Sequence, residues 1–139
     1  MPVELDHLLV PSADRVGAAK LLAQLLGVPW AEQGNVGPFS SVYVNDGLTL
    51  DFDQWKHPVP KQHYCFRVEA AQFDEILARI EAAGIAYRSS PHGADDFRVN
   101  PAFGGRLVYW NLPDGHVWEM LTVSYERHTP GTAPLSPKA

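Results

Sequence analysis

A chain of 139 residues, 45% hydrophobic and 19% charged, has an ordinary globular composition and length for one domain, or for two small modules sharing a core. A formal net charge of −5 and the absence of any basic run exclude nucleic acid as an expected partner, because phosphate binding needs a basic face. No apolar stretch approaches the roughly 20 residues of a membrane span, and the opening MPVELDHLLV lacks the basic and apolar regions of a secretory signal.

Residues 3–10 are rich in Val and Leu and predict a strand stopped by Pro11. Ser12 offers a helix N-cap, with Asp14 in the first turn. From Ala13 to Leu26, Val16, Leu21, Leu22, Leu25 and Leu26 recur at helical spacing, and Gly27 is the stop. VPWAEQGNVGPF predicts loop or a short strand. SSVYVND then meets Asp46-Gly47 and returns as LTLDFD, a hairpin pattern. The Pro-rich residues 55–61 predict a linker between module one (1–54) and module two (62–126).

The second module repeats the order. HYCFRV predicts a strand in which the lone cysteine, Cys65, reads as a small buried hydrophobe. One cysteine excludes an internal disulfide and suits a reducing cytoplasm, the expected location. Residues 70–83 predict a helix burying Phe73, Ile76, Leu77 and Ile80, stopped by Gly84. IAYRS resumes as a strand, a polar loop spans 89–95, and RLVYWNL with HVWEMLTV makes a last hairpin around Pro113, Asp114 and Gly115. Residues 127–139, rich in Pro, Ser and Thr, predict a flexible tail.

The expected fold class is therefore α+β: two paired βαβββ modules packed as one domain (1–126), forming a curved mixed sheet around a concave site. Strand alternation sets the faces. Leu5, His7 and Leu9 share one face, His63 and Cys65 oppose the core set Tyr64, Phe66 and Val68, and Glu119 alternates with Trp118 and Met120. His7, His63 and Glu119 together supply two imidazoles and one carboxylate, a sufficient set for a catalytic divalent metal with open positions. Singly, each also fits a structural role, whereas their equivalent places in a repeated pattern favour a site. His57, His92, His116 and His128 fall in loops, turns or the tail and read as solvated. Asp51 stands four residues after Gly47 as Glu119 stands four after Gly115, so it is the first module's acidic counterpart, a polar cavity residue and a candidate base. Tyr109 is the leading candidate for the pocket wall, followed by Tyr43, Trp110, Arg98 and Arg106.

DHLLV, HYCFRV and above all VYWNLPDGHVWEM, in this order of elements, resemble the vicinal oxygen chelate superfamily, which includes glyoxalase I, fosfomycin-resistance thiol transferases, bleomycin-resistance proteins and extradiol dioxygenases. The resemblance runs to about Val123. It implies His7, His63 and Glu119 as ligands of a divalent metal (Fe²⁺, Mn²⁺, Ni²⁺ or Zn²⁺), with Asp51 at the place of glyoxalase I's fourth, glutamate ligand, and a homodimer as the assembly; Glu119, Asp51 and Tyr109 are the candidate catalytic residues. The implied function is a lyase, isomerase or dioxygenase acting on a small oxygenated substrate that chelates the metal. The alternative is a metal-free binding protein of the bleomycin-resistance kind.

Overall fold

The computed structural model of the chain describes residues 2–127; Met1 and residues 128–139, including His128 and nearly all of the tail expected from the sequence, lie outside them. Strand β1 (His7–Ser12) buries Val10 completely while Leu9 on its other face stays half exposed. It runs through Pro11 instead of stopping there. β1 is an edge strand, so the missing proline N–H breaks no ladder bond. Helix α1 (Arg15–Leu26) is capped by Asp14, whose carboxylate accepts the Gly17 N–H at 3.1 Å. Ser12, the cap expected from sequence, instead donates its hydroxyl to Asp114 in the other module at 2.6 Å. Gly27 closes α1 in the left-handed conformation (φ 72°), as its position predicted.

β2 (Trp30–Ala31), β3 (Ser40–Asn45) and β4 (Leu48–Gln54) complete the first module, with the β3–β4 hairpin turning at Asp46-Gly47. β5 (His63–Arg67), α2 (Ala70–Ala82), β6 (Tyr87–Arg88), β7 (Leu107–Asn111) and β8 (Val117–Leu121) repeat the order. The start of α2 is fixed by a capping box in which Gln72 Oε1 accepts the Glu69 N–H at 3.0 Å. The mixed sheet divides in two, one four-stranded sheet per module, ordered β1-β4-β3-β2 and β5-β8-β7-β6. In each, the first pair is parallel and the remaining pairs antiparallel.

The helix-covered faces of the two sheets merge into one core. Phe52 of the first stacks on Trp118 of the second at 6.4 Å between centroids, and Trp118 stacks in turn on Tyr64 and Phe66. His116, read from sequence as solvated, is instead 1% exposed in this junction. Its Nδ1 accepts the Gln62 N–H at 3.0 Å and its Nε2 lies 2.7 Å from the Pro11 carbonyl. A backbone N–H can only donate and a carbonyl can only accept, so these partners dictate a neutral ring protonated at Nε2. The Asp114 carboxylate adds a second tie, accepting the Ala13 N–H at 2.9 Å as well as the Ser12 hydroxyl. With the helix sides consumed in the core, each sheet keeps its opposite face for other work.

Candidate metal centre

The ladders show that the sequence repeat is a structural one. In the first sheet Asp51 faces Leu9 on one side and Ser41 on the other, and His7 faces Thr49. In the second, Glu119 faces Cys65 and Tyr109, and His63 faces Val117. His7 thus corresponds to His63, Asp51 to Glu119, and Ser41 to Tyr109.

The second module holds the more unusual cluster. Glu119 lies on β8, an inner strand, and is fully buried. Its Oε1 accepts two hydrogen bonds, from His63 Nε2 at 2.9 Å and from the Tyr125 hydroxyl at 3.0 Å. Its Oε2 is buried with no partner at all. A carboxylate oxygen shut away from water without a hydrogen bond costs free energy unless a cation or proton compensates it. Tyr109 stands across the ladder from Glu119, buried, its ring edge-on to His63 at 6.0 Å between centroids. Desolvation first, then the Glu119 charge, push its phenol above the ordinary tyrosine range, so it remains a hydrogen-bond donor. Cys65, read from sequence as a buried hydrophobe, is exposed on this same open face. Desolvation and the nearby Glu119 carboxylate push its thiol up to about 12, which leaves it protonated rather than a thiolate.

On the first sheet His7 is exposed, and its Nδ1 lies 2.8 Å from Asp6 Oδ2. That bond commits Nδ1 to the proton and leaves the Nε2 lone pair free, the arrangement that orients a metal-ligating histidine. The Asp6 hydrogen bond also raises the pKa of His7. Asp51 accepts the Ser41 hydroxyl through Oδ1 at 2.7 Å and shares with His7 a shallow cavity of about 170 Å³, walled by Tyr43 and Thr49.

These two clusters remain separate within one chain. Among the described residues no group of three or more His, Cys, Asp and Glu side chains is placed to hold a metal ion. The structure brings His63 to Glu119, and His7 to Asp51, but not one pair to the other. Of the expected wall residues, Tyr109 and Tyr43 line the two open faces. Trp110 is instead completely buried in the core. Arg106 turns to α2, where it pairs with Asp74 at 2.6 Å and lies 4.5 Å over the Phe73 ring. Arg98 is exposed on the segment before β7, with its N–H on Asp96. Tyr125 was not anticipated, because it follows the last strand, where the sequence already turns polar. Its only signal was an aromatic residue within reach of the β8 end.

The donors fit a divalent cation. One imidazole with a free Nε2 (His7), one whose Nε2 is turned to the carboxylate (His63), and a buried carboxylate with one oxygen unpartnered are the nitrogen and oxygen ligands that such ions take. No protein-family model matches the chain, and no curated protein matches it. Solved structures do. The chain is 41% identical to oxidase ChaP-H1 over 89% of its own length and 98% of that protein, with a TM-score of 0.81. Oxidase ChaP-H2 is 35% identical over 90% and 97% of the two chains, at a TM-score of 0.83. The fosfomycin resistance protein FosX of Listeria monocytogenes shares the fold at 18% identity, covering 91% and 98%, with a TM-score of 0.67. With two similar βαβββ modules in matching register and this identity across nearly the full length of both oxidases, the chain belongs to the vicinal oxygen chelate superfamily.

Proposed function

We propose that this protein is a metal-dependent enzyme acting on a small oxygenated molecule, with His63 and Glu119 of one chain and His7 of a second copy as the ligands of a divalent cation. The observation that carries this reading is the buried, unpartnered Oε2 of Glu119, half of a His–Glu pair on the sheet face turned away from the helix. The pair has too few ligands by itself. The remaining histidine of the repeat is exposed, flanked by the exposed apolar residues Leu5 and Leu9, and so is available to another chain. Because His7 and Asp51 share one face, a copy that delivers His7 delivers Asp51 with it.

A bound cation would supply a Lewis acid for two adjacent oxygens of a substrate. Tyr109, kept protonated and standing across the ladder from Glu119, has a hydroxyl proton to offer a substrate oxygen. Asp51, held through Oδ1 by Ser41, faces the cavity and is the group placed to accept a substrate proton. The name of the similar ChaP-H1 favours an oxidative reaction over the lyase and isomerase alternatives.

Titration of the untagged full chain with Mn²⁺ by calorimetry tests the reading. The expectation is about one ion per chain and a raised melting temperature on binding, with binding abolished in His63→Ala and Glu119→Ala while both variants stay folded. Fewer than about a tenth of an ion per chain, and no rise in melting temperature, would leave the metal-free binding protein as the better account.

A further inference from the structure

Glu119 Oε1 has two donors, and only one of them can persist in the site proposed above. The Nε2 of His63 that now bonds Oε1 is the atom a cation would take, since Nδ1 and Nε2 are the only ligating atoms of the ring and Nε2 is the one aimed at the carboxylate. With that atom committed to a metal, the Tyr125 hydroxyl is the donor that stays on Oε1. A carboxylate oxygen can only accept, so the proton in this bond is the tyrosine's.

The chain goes to some length to put Tyr125 there. After β8 it bends back, and the return is pinned to the segment before β7. The Thr122 N–H donates to the Arg106 carbonyl at 3.0 Å, and the Arg106 N–H donates to Thr122 Oγ1 at 2.9 Å. Gly105 permits this approach, for a Cβ there would lie 2.6 Å from Thr122 Oγ1 and 2.8 Å from a Val123 methyl. The Tyr125 ring packs with Leu107, Tyr109 and Leu121 and against Phe103 at 5.3 Å between centroids. One aromatic residue beyond the last strand is thus held by packing on both the sheet and Phe103, with its hydroxyl on the buried Glu119 carboxylate.

We infer that Tyr125 is a positioning residue for the metal ligand Glu119: by holding Oε1 it fixes the carboxylate rotation and presents Oε2 alone to the cation. The inference rests on the metal-site reading above. Its test is calorimetric titration of the untagged full chain with Mn²⁺ alone, comparing wild type, Tyr125→Phe and Phe103→Leu. Tyr125→Phe should keep the stoichiometry but bind roughly tenfold or more weakly, the usual effect of removing a partner that orients a ligand. Its metal-free melting temperature should stay within about 2 °C of wild type, since the ring packing survives. Phe103→Leu loosens the ring contact but spares the hydroxyl, so its affinity should match wild type. Wild-type affinity in Tyr125→Phe overturns the inference and leaves the metal site standing. So does a lowered melting temperature with unchanged affinity, the result a purely structural tyrosine would give. If wild type itself binds no Mn²⁺, both fall, and the failure lies in the metal-site reading.

Discussion

At the scale of single residues, Glu119 and His116 are both buried polar side chains in the last strand region, yet their hydrogen bonding separates them. Both ring nitrogens of His116 are satisfied, one by each module. Such a group stabilises the fold, and replacing it leaves a buried N–H and a buried carbonyl without partners. His116→Ala should therefore cost about 3 kcal/mol in urea unfolding, combining those losses with the cavity left behind. Glu119 has an oxygen with nothing to bond. Its removal should relieve the metal-free protein, so Glu119→Met should leave stability unchanged or raise it by about 1 kcal/mol while destroying metal binding. A loss above about 2 kcal/mol in the metal-free variant would show instead that the His63–Glu119 pair is a structural ion pair.

At the scale of elements, the ends of the helices carry their own tests. Gly27 terminates α1 at a φ of 72°, and a Cβ there would lie 2.7 Å from the Arg79 guanidinium of α2. Gly27→Ala should cost about 1–2 kcal/mol from backbone strain alone, and the Arg79 clash should add to it. Helix α2 is tied to the start of β7 by Asp74 and Arg106, and the hydrogen bond from Arg106 holds the Asp74 carboxyl below the usual carboxylate range. The folded value lies below the unfolded one, so the stabilisation is present above the ordinary carboxylate range and is lost as pH falls through the folded value. An NMR titration should place the Asp74 midpoint below that of an unstructured aspartate, and Arg106→Ala should return it to normal. An unchanged midpoint in the variant would mean that Arg106 does not set it.

At the scale of the whole molecule, a metal site shared between two chains differs from an intrachain one in how it responds to mixed variants. His7→Ala and Glu119→Ala should each abolish Mn²⁺ binding when alone. If the site is shared as proposed, co-folded chains would form some mixed dimers in which one site draws His7 from the Glu119→Ala chain and His63 with Glu119 from the His7→Ala chain. Mn²⁺ binding should therefore reappear on mixing, and an intrachain site would show none. Much of this architecture was legible beforehand. The Asp-Gly turns, the helical spacing before Gly27 and Gly84, and the alternation that put Val10, Tyr64, Phe66, Trp118 and Met120 in the core are local properties of a pleated or helical backbone, so they can be read from the order of residues. The same alternation set His7, His63, Asp51 and Glu119 on the faces turned away from the helices. Local order could not show that Ser12 gives up its capping role to reach Asp114, or that His116 closes the seam between modules. Nor could it reveal that Arg106 belongs to α2 and that Tyr125 folds back onto Glu119. Each of these depends on contacts between segments far apart in the chain or on the chain's return across a sheet, and those distances exist only once the modules have packed. The repeat and the chemical identity of the candidate ligands are set by the sequence alone, because periodicity and side-chain type are written residue by residue. Which of these side chains meet is settled by packing, because joining the two helix-covered faces into one core parted His7 from His63 and left Glu119 with an oxygen still to be satisfied.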